Sequence, residues 1–157
     1  MNAVNGSGID LDNSTLFNAA TIDTIDDFSS NVTLESVSSS GAVNGIRLVN
    51  LGRSSRFNIL GDASLVNPGI TGGTITGATN AGVLLQNAAR VSLRGMLLDD
   101  NLNGIVVTNS QMGLDLDNPD VFDDDLLQVL FTRVTASDQN GLLVDDLLSL
   151  NLSLIHI

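Results

Sequence analysis

Cysteine is absent, so neither a disulfide scaffold nor thiol chemistry is open to this chain. Tryptophan and tyrosine are also absent and phenylalanine occurs five times. Any core must therefore be built from thin layers of Leu, Val, Ile and Ala. Lysine is missing, and the six basic residues are all arginine against 18 acidic ones, a net charge of −12. Such a surface repels polyanions, which argues against nucleic-acid binding and against docking on an anionic membrane. The one histidine, His156, lies next to the C-terminus, which leaves Ser-His-Asp catalysis without an internal base. No apolar run reaches the roughly 18 residues of a membrane helix, so no membrane insertion is expected. Met1 is not followed by a charged and then apolar leader, and the chain is expected to begin inside a larger gene product.

What the chain has in quantity is Gly, Ser, Thr, Asn and Asp, the residues of many short strands joined by tight turns. A mean hydropathy of +0.26 and periodic apolar residues argue against disorder. Aspartate supplies 17 of the 18 acidic residues, short oxygen ligands that would attract divalent cations.

One unit recurs: Gly, apolar, any, apolar, any, Asn or Asp. Its copies are Gly8-Ile9-Asp10-Leu11-Asp12-Asn13, Gly45-Ile46-Arg47-Leu48-Val49-Asn50, Gly82-Val83-Leu84-Leu85-Gln86-Asn87, Gly104-Ile105-Val106-Val107-Thr108-Asn109 and Gly141-Leu142-Leu143-Val144-Asp145-Asp146. The glycines lie 37, 37, 22 and 37 residues apart, and Asn44, Asn103 and Asn140 directly precede three of them. A second signal precedes most copies: Val32-x-Leu34-x-x-Val37, Ile70-x-Gly72-x-x-Ile75, Val91-x-Leu93-x-x-Met96 and Val129-x-Phe131-x-x-Val134.

Apolar residues alternating with polar ones make each copy a short strand with one buried face. Stacking the copies at about 4.8 Å places Ile9, Ile46, Val83, Ile105 and Leu142 in one internal column. Leu11, Leu48, Leu85, Val107 and Val144 form the next. The glycine allows a chain path that a Cβ would obstruct. The Asn or Asp that closes each copy falls at a corner, where it can bond its own backbone or the Asn stacked on it. The 22-residue interval is one coil of three short strands. The 37-residue intervals are a coil plus an outward loop of about 15 residues. A leucine-rich repeat wants a tighter Leu pattern, and an antiparallel sandwich would not put Asn or Asp at the same place in every copy.

These residues resemble the parallel β-helix repeat of pectate-lyase-like proteins and of bacterial surface adhesins and autotransporter passengers. The resemblance covers roughly residues 5 to 151. It implies an all-β, right-handed parallel β-helix (solenoid) of about four to five coils over residues 1–151. It also implies a structural or adhesive role in a secreted or cell-surface protein, with an extracellular glycan or a host or cell surface as partner. The alternative is part of a carbohydrate-active enzyme, a polysaccharide lyase or glycoside hydrolase. Neither end shows a capping helix, so the chain alone is expected to be aggregation-prone or marginally stable. The last six residues, Leu152-Ser153-Leu154-Ile155-His156-Ile157, match in one reading frame the translation of a transposase adapter end used in sequencing libraries. They are expected to be appended rather than native; the other reading is a final strand.

The richest acidic segment, Asp115 to Asp125, alternates Asp with Asn and a turn-forming Pro119. Asp115, Asp117, Asp120, Asp123 and Asp125 could bring several oxygens to a Ca²⁺ ion on one bend. The EF-hand glycine and terminal glutamate are missing. The segment also echoes Gly8 to Phe17 in residue type, which favours a strand with a solvated acidic loop. Paired carboxylates at Asp26-Asp27, Asp99-Asp100, Asp123 to Asp125 and Asp145-Asp146 read better as corners than as a glycosidase pair, because neighbours on a strand face opposite ways. The resemblance to polygalacturonase-like enzymes would demand a His-Gly and an Arg-Ile-Lys, and both are lacking. Arg47, Arg90, Arg94 and Arg133 lie on or beside strands as lyase candidates, but a guanidinium protonated at neutral pH is more often solubilising or ion-paired than a base. No catalytic residue is assigned.

Overall fold

The computed structural model describes residues 2–4, 7–12, 31–51, 55–61, 69–88, 90–108, 127–145 and 150–154. Among them every regular element is a strand: β1 (Asn2–Val4), β2 (Ile9–Asp12), β3 (Asn31–Leu34), β4 (Ser38–Ser40), β5 (Asn44–Leu51), β6 (Arg56–Ile59), β7 (Gly73–Thr76), β8 (Ala81–Ala88), β9 (Val91–Arg94), β10 (Met96–Asp99), β11 (Asn103–Thr108), β12 (Leu127–Thr135), β13 (Asn140–Asp145) and β14 (Leu150–Leu154). The class is all-β, and every pairing between these strands is parallel.

Pairing skips along the chain. The glycine-headed strands form a five-stranded sheet in the order β13-β11-β8-β5-β2. The strands preceding and following them form two further rows, β1-β4-β7-β10 and β3-β6-β9, which β12 joins into one nine-stranded sheet by pairing with both β10 and β9. Where β12 passes from one row to the other, the buried Thr132 hydroxyl accepts from Met96 N–H at 3.5 Å and donates to Leu93 O at 3.4 Å. One side chain thus stitches the bend between β9 and β10. Strand β14 also lies on β12, with Leu152 opposite Val129, so part of the segment 152–157 forms a paired strand.

Register follows the repeat. Ile9 pairs with Ile46, Ile46 with Val83, Val83 with Ile105 and Ile105 with Leu142. The uneven 22-residue step is absorbed without a slip. Inner positions Ile46, Val83, Leu48, Leu85 and Val107 are fully buried, and Ile105 is nearly so. Ile9, Leu11 and Leu142, in the outermost strands, are only partly buried. Side chains from both sheets enter one aliphatic cluster, with Phe57 its largest member. This arrangement is compatible with a β-helix-like solenoid.

Two expectations are corrected. The strand that follows Gly45 in the second row is Phe57-Asn58-Ile59, not Ile70-x-Gly72. Phe57 pairs with Val32 and with Val91, both its side chain and Ile59's are buried, and Ile70 is 42% exposed. Ile75 stands opposite Leu98, and Met96 opposite Gly73, two positions from the alignment expected. Val129 likewise pairs with Leu93 rather than Val91. The cause is that insertions fall at different corners, so this row has no constant spacing.

The repeat glycine is needed for room rather than for a special backbone angle. A Cβ on Gly82 would lie 2.8 Å from Gly104 O, and one on Gly104 would strike Gly141 O and the Val134 side chain. Each glycine lies beneath a carbonyl of the next glycine, as in the bond from Gly8 N–H to Gly45 O at 2.7 Å. The residues that lengthen the 37-residue intervals, 13–30, 62–68 and 109–126, lie outside the described residues.

Candidate functional site

The polar residues that the repeat places at corners bond to their own kind in the next strand. Asn50 and Asn87, which close two copies, both hold positive φ (54° and 48°). Asparagine tolerates this region because its short amide can bond locally. Stacked this way, Asn87 Nδ2 donates to Asn50 Oδ1 at 3.1 Å. Beyond Asn50 the chain turns, and Leu51 points back into the core above Ala88.

A second ladder runs along the asparagines before the glycines. Asn80 Nδ2 donates to Asn44 Oδ1 (2.8 Å), Asn103 Nδ2 to Asn80 O (3.0 Å) and Asn140 Nδ2 to Asn103 Oδ1 (3.0 Å). A third corner holds Asn101, which is completely buried. Its Oδ1 accepts from Ala78 N–H at 2.9 Å and its Nδ2 donates to Ile75 O at 3.1 Å. Nothing in the repeat pattern marks Asn101.

Outward faces differ from row to row. On the five-stranded sheet one outer column reads Asp10, Arg47, Leu84, Val106 and Leu143. Arg47 Nη1 bridges Asp10 Oδ1 at 2.9 Å, an exposed ion pair, worth about 0.2–1 kcal/mol and weakened by salt. On the β3-β6-β9 row the column is Thr33, Asn58 and Ser92. On the remaining row Ser40, Thr76, Asp99 and Thr135 align, and Thr135 Oγ1 donates to Asp99 Oδ1 at 2.6 Å. Asp100 sits at a corner with φ 54°. Of this pair, Asp99 closes β10 and accepts from a hydroxyl on the neighbouring strand, while the Asp100 backbone holds the bend that follows.

The arginines are partly drawn together. Arg90, one position before Val91, and Arg56, one before Phe57, head adjacent strands, and Phe57 N–H donates to Arg90 O at 3.1 Å. Arg94 ends the same strand as Val91, and its Nε is buried without a hydrogen-bond partner. Arg47 and Arg133 lie on other rows. Arg56 went unremarked in the sequence; the Phe57-x-Ile59 alternation was the signal that would have found it. The calcium candidates Asp115, Asp117, Asp120, Asp123 and Asp125 lie outside the described residues, as do Asp26, Asp27 and Asp146. Among the described residues no three His, Cys, Asp or Glu side chains converge as a metal would require. Compared with protein-family models, curated proteins and solved structures, the chain matches none.

Proposed function

We propose that this chain is a stretch of right-handed parallel β-helix, pectate-lyase-like in type, serving as a structural or adhesive segment of a secreted or cell-surface bacterial protein. The observation that carries the reading is the use made of its polar residues. Asn50, Asn87, Asn44, Asn80, Asn103, Asn140, Asp10 and Asp99 spend their side chains on the strand stacked next to them. A surface organised this way propagates a repeat, and its net charge of −12 keeps it in solution. Its partner on this reading is an extracellular glycan or a host or cell surface. The absence of Trp and Tyr removes the usual sugar-stacking groups, which favours this role over a carbohydrate-active enzyme of the same architecture.

The test pairs binding with turnover. Residues 1–157 are co-sedimented with insoluble polysaccharides and incubated with soluble polyuronates, with product followed by unsaturated-sugar absorbance and by reducing ends. Any retention is expected to occur without product. Steady release of either product that disappears in an Arg94→Ala variant would overturn the proposal in favour of the enzyme.

The acidic segment Asp115 to Asp125 belongs to this reading as a solvated loop. Calorimetric titration with Ca²⁺ into the millimolar range is expected to show no saturable heat. Saturable heat that is lost on Asp117→Asn and Asp120→Asn would make the segment a metal site instead.

A further inference from the structure

The chain passes from the β3-β6-β9 row to the β1-β4-β7-β10 row by steps of nearly constant length. Two residues separate Leu34 from Val37, Leu93 from Met96 and Val129 from Thr132. Pairing makes these places equivalent: Ile59 lies opposite Leu34 and Leu93, and Leu93 opposite Val129. Gly73 lies opposite Met96. Counting back from Ser39 opposite Ile75, and from Arg133 opposite Leu97, sets Val37 level with Gly73 and Thr132 level with Met96. The passage from Ile59 to Gly73 is the exception. It takes residues 60–72, thirteen where the others take two, an excess of eleven.

The pairing leaves the excess no place. Strand β6 already pairs with β3 and β9, and β7 with β4 and β10, so both edges of each are taken. The chain also leaves and returns at one spot. Leu60 still follows the stack, donating its N–H to Leu34 O at 2.9 Å, and Gly72 N–H donates to Gly95 O at 2.8 Å. A Cβ on Gly61 would lie 2.6 Å from Arg94 O and 3.3 Å from Gly72 N, and one on Gly72 would strike the same Arg94 O. Two glycines thus crowd over one carbonyl where the neighbouring passage has Gly95 alone. Gly61 and Gly95 share positive φ, 50° and 61°. Leu60 and Ile70, at the two feet, are 44% and 42% exposed and stay out of the core.

We infer that residues 62–72 are an exchangeable insertion, a graft point at which this fold carries, and can lose or replace, a segment that its paired rows do not need. A cut there leaves Ile59-Leu60-Gly61-Gly73, which matches Leu93-Arg94-Gly95-Met96 in length and in the place of its positive-φ glycine. Ile75 keeps its register, and the shorter connection costs less closure entropy.

Three variants of residues 1–157 are unfolded in urea and followed by circular dichroism. Deletion of 62–72 is expected to keep the β signal and to unfold at a midpoint equal to or above that of the full chain. Replacement of 62–68 by a Gly-Ser tract of equal length should change the midpoint little. Deletion of 61–72 removes one residue more. It slips β7 by one place against β4 and β10 and turns Ile75 outward, so its midpoint should fall steeply. The inference is overturned if either of the first two variants falls as far as the third.

Discussion

Alanine at Gly73 is expected to remove about 3 kcal/mol or more of stability, the largest loss among the glycine positions. Two independent effects coincide there. The residue has φ 104°, outside the small left-handed region that L side chains tolerate, and a Cβ would strike the backbone N, C and O of Val37, just before β4. Backbone atoms cannot swing aside as a side-chain tip can, and Val37 is itself fixed by donating its N–H to Gly72 O at 2.9 Å. Relief would require parting β7 from the Val37 corner that packs on it. Gly77 separates the two effects. Its φ is 66°, yet the nearest atom to a Cβ is Gly41 N at 3.7 Å. Gly77→Ala should therefore cost only the left-handed penalty, about 1–2 kcal/mol. Urea unfolding of both variants checks this, read as midpoint shifts at unchanged slope. Equal losses at Gly73 and Gly77 would mean that crowding against Val37 contributes nothing.

None of this was visible in the chain's letters, whereas the main stack was. The glycine-headed copies were legible because each inner position meets the same surroundings in every strand of the sheet, so the same residue types recur. Ile46, Val83 and Ile105 are alike because they do the same thing, whether the step between copies is 37 residues or 22. Asn50 and Asn87 were legible for a related reason: a corner with positive φ beside a like corner selects the same residue twice.

The β3-β6-β9 row was harder to read. Phe57 lies 25 residues after Val32 and 34 before Val91, so it shows no fixed period. Ile70-x-Gly72 imitates the pattern without forming the strand. Strand β4 is three serines. It carries no apolar alternation, yet Ser39 points inward at 3% exposure opposite Ile75. Pairing on both sides, with β1 and β7, makes it a strand where propensity would not. Of the candidate site, the Asp99-Asp100 pair straddles a strand end, with Asp99 closing β10 and Asp100 in the bend after it. The ion pair between Arg47 and Asp10 was not foreseen, although the 37-residue register that brings them together was.

Asn101 carries the second large effect, and it turns on a dry corner. The side chain is fully buried, as is Ile75, and Ala78 is 2% exposed, so no solvent replaces what the amide supplies. Asn101→Ala leaves the Ala78 N–H without its partner in the interior, takes one donor from the Ile75 carbonyl and empties the volume of the amide. With about 1–3 kcal/mol for the orphaned donor and the cavity added to it, a loss of about 3 kcal/mol is expected. Asn87→Ala, on a half-buried corner that water can reach, should cost about 1 kcal/mol. Asn101→Asp distinguishes lost hydrogen bonds from lost volume. Its carboxylate can still accept from Ala78 N–H but sets a charged oxygen against Ile75 O, and burial adds to the penalty on the ionised form. The folded-state pKa of that aspartate is thus raised above its unfolded value. Its protonated form can donate to Ile75 O, so the variant is least impaired below the ordinary carboxylate range. That advantage is lost as pH rises through this range toward neutrality. Measured beside Asn101→Ala, to cancel the acid response of the other carboxylates, Asn101→Asp should gain relative stability on acidification. A stability difference between the two variants that ignores pH would show that the corner is wet and that Asn101 merely fills space.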